Sequence, residues 1–199
     1  MFVSCENIFS IPLYKFKFKY HDVLKGAFVK FAKDESIYEY ESDIRLSRKN
    51  LHQEKLFQPI TTFFGDSLNY TMKDLGFAHP CRITSLWISE QKYMGKMRAH
   101  KHNNSFLVGV YYLDGESDSP GTSMMNLNMG SIIPQRSDTA IQKMPATHST
   151  EFEEGAFYVF PSFVVHYTEQ LLSKESRYVL AVNSMPIFEG NNSQDHRRY

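Results

Sequence analysis

The chain has 199 residues and a mass of 23.2 kDa, a size that fits one domain with at most a small appendage. Hydrophobic residues make up 42% and charged residues 22%, with 16 Phe and 12 Tyr, which fills a core and argues against disorder. Lys plus Arg and Asp plus Glu number 22 each, so no net field draws nucleic acid or an acidic membrane surface, and no apolar run approaches the roughly 20 residues of a membrane span.

Cys5 and Cys81 are too few for a disulfide framework, and the opening MFVSCENIFS lacks the basic start and long apolar stretch of a secretory signal. The expectation is a soluble, cytoplasmic protein. Residues 11–19 (IPLYKFKFK) alternate apolar and basic side chains from Tyr14 onward, the period of a half-buried strand. The period changes over 21–33, where Val23, Leu24, Ala27, Phe28 and Phe31 gather on one helical stripe. A second helix is expected from Pro59 to Leu75, with Phe64, Leu68, Met72 and Leu75 on one face and Gly76 as its left-handed stop.

From about Arg82 the pattern turns to strands. The segments 82–91 (RITSLWISEQ), 104–114 (NSFLVGVYYLD), 122–129 (TSMMNLNM), 155–161 (GAFYVFP) and 177–183 (RYVLAVN) are mostly rich in β-branched and aromatic residues, separated by turn material such as DGESDSPG. The expected fold is α+β and mainly β, a sandwich, barrel or jelly roll with helices supporting one sheet. An irregular stretch over 130–149, carrying Pro134 and Pro145, is long enough for a lid and equally compatible with a plain surface excursion. The closing EGNNSQDHRRY reads as a polar, frayed tail.

Three of the eight histidines stand in chemically suggestive places. His100 and His102 form an H-x-H pair, and on an extended chain residues two apart point to one face. His166 follows a strand ending at Phe160-Pro161-Ser162, so three imidazoles converge at a barrel mouth if the two segments lie side by side. Imidazole suits iron, zinc, copper and nickel better than calcium or magnesium. By itself the pair is a weak signal, and the plainer reading is ordinary surface or hydrogen-bonded histidines. Arg177 shares a strand face with Val179, Ala181 and Asn183, and a guanidinium facing a barrel interior calls for a carboxylate. The plainer reading has Arg177 snorkelling from a strand end towards Glu175.

In combination, Trp87, the H-K-H at 100–102, NSFLVGVYYL at 104–113, EGAFYVFPS at 154–162, His166 and RYVLAVN ending at Asn183 resemble the iron(II)- and 2-oxoglutarate-dependent oxygenases. More narrowly they resemble a branch common in marine bacteria and their phages, and the likeness covers residues 86–187, with NIFSIPLY looking like that branch's first strand. The resemblance implies a double-stranded β-helix (jelly-roll) core over 82–187, supported by the strand and helices of 1–81 within a single domain of 1–199. It implies Fe(II) held by His100, His102 and His166, and 2-oxoglutarate bound through Arg177, with Tyr111 and Asn183 as further cofactor contacts. His102 takes a position that carries Asp or Glu in the wider superfamily. Val179 stands where many members have a serine that touches 2-oxoglutarate, and Val108 where the branch commonly has serine.

The implied reaction is a hydroxylase-type oxidation of a C–H bond, consuming O2 and releasing succinate and CO2, in the host cytoplasm if the gene is phage-borne. The prime substrate and oligomeric state, a homo-oligomer included, are left open. Two other readings compete. Gly155, Pro161 and His166 fit part of a cupin motif, which would give a metal-binding isomerase or dioxygenase without 2-oxoglutarate. A jelly roll that has lost catalysis and serves as an interaction module is the third. Asp114 is an alternative oxygen ligand, but it sits at an evident turn.

Overall fold

The computed structural model describes residues 10–34, 38–41, 43–128 and 145–188. Strand β1 (Tyr14–Lys17) leads into helix α1 (His21–Asp34), followed by the hairpin strands β2 (Tyr38–Glu41) and β3 (Ile44–Leu46). Two short 3-10 turns precede helix α2 (Gln58–Asp74). Pro59 sits in its first turn, and Gly76, at φ +82°, ends it as the sequence predicts. The chain is then strand-dominated: β4 (Cys81–Gln91), β5 (Leu107–Asp114), β6 (Ser123–Met125), β7 (Thr147–Ser149), β8 (Ala156–Pro161), β9 (His166–Tyr167) and β10 (Arg177–Pro186).

The strands form two antiparallel sheets. The large one has seven strands in the order β1-β8-β5-β10-β4-β3-β2, and the small one has three in the order β7-β6-β9. The helices cover one face of the large sheet and the small sheet covers part of the other. On the helix side Phe64 and Leu68 of α2 and Phe28 of α1 pack against Leu107, Tyr111, Phe157 and Leu180. Phe64 meets Phe157 with ring centroids 4.3 Å apart. Gly109 leaves room for that ring, since a Cβ there would collide with the Phe157 side chain. On the opposite face Val108, Val110, Tyr112, Phe160 and Val179 pack towards Met124 and Val164 of the small-sheet side.

Several expectations shift by local physics. Val23 is 78% exposed and Ala27 is also exposed, so the buried stripe of α1 runs through His21, Phe28 and Ala32. His21 replaces an apolar anchor because its Nδ1 and the Tyr111 hydroxyl share a 2.6 Å hydrogen bond. The strand expected over 122–129 shortens to β6, and β10 extends beyond Asn183 to Pro186. The hairpin β2–β3, whose first strand alternates as YEYE, and the two-residue β9, too short to carry a period, are elements the expected strands do not include; pairing with neighbours forms them. Residues 145–149 of the irregular stretch include β7; the rest of the expected lid, the start of the first expected strand's family resemblance and the polar tail fall outside the described residues. Among the described residues no helix is long and apolar enough to cross a membrane.

Candidate metal and cosubstrate site

Two stretches far apart in sequence bring the three histidines together. His100 and His166 face each other across an antiparallel bridge, exchanging both backbone N–H···O bonds at 2.9 Å. His102 is fixed two residues on by its own N–H donating to Ser162 O at 3.2 Å. Asn104, in the left-handed conformation at φ 58°, then turns the chain towards β5. The ring centroids lie 4.4 Å (100–166), 5.3 Å (100–102) and 5.0 Å (102–166) apart, and one ligating nitrogen from each lies within 4.8 Å of the others.

Each imidazole is oriented by an oxygen behind it. Nδ1 of His100 lies 2.8 Å from Arg98 O, Nδ1 of His166 lies 2.9 Å from Val164 O, and Nδ1 of His102 lies 2.5 Å from Asn183 Oδ1. An acceptor at Nδ1 keeps the proton there and leaves Nε2 with a free lone pair, the arrangement metal-ligating histidines adopt. Trp87 stacks on His102 with centroids 5.8 Å apart. Burial pushes His166 down to about 3 and lowers His102 as well, so these rings are neutral and ready to ligate near neutral pH. The donor set therefore fits a first-row transition metal. It is built of three imidazoles, without a carboxylate.

Arg177 begins β10 and is 2% exposed. Its Nη1 donates to Gln91 Oε1 at 3.2 Å, directly across the β10–β4 register. Gln91 is held in turn, its Nε2 donating to Gly95 O and Glu169 O, each at 2.8 Å. The guanidinium lies 5.2 Å from the Tyr112 ring centroid and 5.6 Å from that of Phe152. Nε and Nη2 have no hydrogen-bond partner, and these two atoms form one complete donor edge. Burial pushes the guanidinium pKa down, the cost of a cation without an anion. A narrow cavity of about 60 Å³ is lined by Arg177, Gln91, Val179 and Thr122 together with all three histidines.

The other expected residues separate. Tyr111 lies on the helix side of β5, its hydroxyl bonded to His21, and takes no part in the cavity. Its neighbour Tyr112 faces Arg177 instead, with its hydroxyl held by Thr122 and Thr150. β5 is buried on both faces from Leu107 to Leu113, which erases the alternation that would have distinguished the two tyrosines. Asn183 shares the face of Arg177 but meets His102 rather than the arginine's partner site. Val179 lines the cavity as an apolar wall. Gln91 is a residue the sequence gave no reason to choose, since only the cross-strand register pairs it with Arg177. Asp114 is tied to Lys25 at 2.6 Å, on the α1 side of the sheet.

A helix-backed antiparallel sheet thus carries on its other face a histidine cluster that could hold a metal ion and a buried arginine with an unpaired donor edge, a recognisable class of β protein. Comparison narrows the class. A family model described as "Putative 2OG-Fe(II) oxygenase" matches residues 85–183, about half of the chain and the part that carries every site residue named above. The chain belongs to this family of 2-oxoglutarate- and Fe(II)-dependent oxygenases, and is an enzyme of that type.

No curated protein matches the sequence. Among solved structures, HygX from Streptomyces hygroscopicus, with nickel, 2-oxoglutarate and hygromycin B bound, is 11% identical over 89% of this chain and 84% of its own, with a TM-score of 0.66. A prolyl-4-hydroxylase from Pseudomonas putida is 12% identical over 90% and 95%, with a TM-score of 0.63. The viral collagen prolyl hydroxylase of Paramecium Bursaria Chlorella virus-1, as its 2-oxoglutarate complex, is 8% identical over 88% and 96%, with a TM-score of 0.60. At such identities the likeness is one of fold.

Proposed function

We propose that the chain is a hydroxylase-type dioxygenase in which His100, His102 and His166 hold Fe(II) and Arg177 binds the distal carboxylate of 2-oxoglutarate. The two sheets then act as the two sides of a double-stranded β-helix, open at the histidine end. The observation that carries this reading is the unpaired Nε–Nη2 edge of a buried arginine, in the same cavity as three converging imidazoles. Such an edge matches a carboxylate through two parallel hydrogen bonds.

Bound iron supplies the oxygen chemistry, coupling decarboxylation of 2-oxoglutarate to succinate and CO2 with oxidation of a substrate C–H bond. The protein's part is placement. Gln91 and the Tyr112 and Phe152 rings hold the guanidinium in one orientation, so the cosubstrate enters a preformed cradle. The carbonyls of Arg98 and Val164 and the side chain of Asn183 keep each Nδ1 proton in place. The apolar walls of Val110, Val179 and Ala181 exclude water from the inner cavity.

A cupin-like enzyme would need no buried guanidinium beside its metal, and a lapsed interaction module would not keep an orphan cation, which is costly to bury. Neither alternative is favoured. The test is Fe(II)-dependent succinate formation from 2-oxoglutarate by the purified chain. His166→Ala is expected to abolish it, and turnover that survives this change overturns the ligand assignment.

A further inference from the structure

Outside the inner cavity lies a wider cleft of about 230 Å³, sharing Trp87, Met97, His100 and His102 with it. Arg177 lines only the inner space, while Lys49 and Lys101 line only the outer one, so the histidine cluster sits at the junction. Among the described residues no carboxylate lines either space. Lys49 is held with its Nζ 5.4 Å from the Trp87 ring centroid. Among the described residues neither lysine has a carboxylate partner, whereas the nearby cations Arg48 and Arg45 are matched by Glu54 at 2.8 Å and Glu90 at 3.4 Å.

The sequence concentrates the same sign here. From Gln91 to Leu113 there is no acidic residue, while Lys92, Lys96, Arg98 and Lys101 all fall within that span. Within the cleft itself the lysines that line it are Lys49 and Lys101, and a cleft lined by one sign concentrates ligands of the other. The inner arginine serves the cosubstrate in the reading above. The outer lysines are separate from it and face the side from which a prime substrate reaches the histidines.

We infer that the prime substrate is a small molecule bearing an anionic group, phosphate or carboxylate, which Lys49 and Lys101 hold in the outer cleft while its reacting carbon lies against the histidine cluster. Its designation as substrate rests on the oxygenase reading; the anion site itself does not.

Trp87 is the one tryptophan in the chain and lines this cleft, so its emission reports occupancy. The full chain, loaded with redox-inert zinc(II) and excess 2-oxoglutarate to fill Arg177, is titrated with phenyl phosphate, benzoate and neutral benzyl alcohol. At least one anion is expected to give a saturable change that weakens as salt rises, with benzyl alcohol silent. Lys49→Ala with Lys101→Ala should weaken binding by about tenfold to a hundredfold. Lys30→Ala, on α1 and away from the cleft, should leave it unchanged. The stronger of the two anionic probes identifies the group.

An equal response to benzyl alcohol, unchanged binding in the double variant, an equal loss of binding in Lys30→Ala, or no response to any probe would each overturn the proposal. Anion binding without succinate formation would instead overturn the oxygenase reading alone. Succinate formation without anion binding would overturn this one alone.

Discussion

The two faces of the large sheet use adjacent tyrosines for opposite purposes. On the helix face Tyr111 is sealed among Phe18, Phe64 and Phe157, and its hydroxyl ties α1 to the sheet through His21. On the other face Tyr112 lies under the Arg177 guanidinium, with its hydroxyl spent on Thr122 and Thr150. One face is dense aromatic packing, with the Tyr111 hydroxyl satisfied by His21. The other keeps an unpaired donor edge and free ring nitrogens. Stability is concentrated on the first face, and the second holds the groups that a ligand completes.

The sharpest way to break that contrast is on the packed side. Phe157→Ala removes a ring that meets Phe16, Phe63 and Phe64 and should cost about 3–5 kcal/mol in denaturant unfolding. Affinity for 2-oxoglutarate in the fraction that remains folded should hardly change. The converse is Arg177→Met. Loss of the carboxylate partner should weaken 2-oxoglutarate binding by about 2–5 kcal/mol in calorimetry. The unliganded variant should melt no lower than the parent, because a buried cation with half its donors unpaired gives way to an apolar chain.

Asn183→Ala tests the orienting contacts. Without an acceptor for the His102 Nδ1 proton, metal affinity should fall about tenfold to a hundredfold in a competition titration. Asn183→Asp, which can accept the same proton, should restore it. The smallest effect belongs to the edge that both faces share. Glu153 pairs with Lys15 of β1 at 2.5 Å and with Lys17 at 2.6 Å, which holds its carboxyl down at about 2. That contribution is complete above about pH 4.5 and disappears as pH falls towards 2, because the unfolded chain takes up its proton first. Acid unfolding of Glu153→Gln should show a slightly shallower pH dependence in that window, and added salt should erase the difference, since the pair is largely exposed.

Much of the architecture was legible from periodicity. The helix from Pro59, the Gly76 stop and the strands around Trp87, Phe157 and Arg177 all follow from local pattern and turn chemistry. His100 and His102 were legible as a pair because two-residue spacing has one meaning on an extended chain. Tyr111 was misplaced because a strand buried on both sides carries no alternation to read. The stripe of α1 was misjudged because a histidine with a tyrosine partner takes an apolar position while Val23 stays in solvent.

By itself the sequence determined the elements, the ligand types and the resemblance to a family, since these depend on residues close together along the chain. Tertiary structure decided which histidine meets which, that Gln91 and Tyr112, not Tyr111, brace Arg177, and that cations from separate segments share one mouth. Those outcomes depend on strand register, which contacts between distant segments set and which no short window of sequence contains.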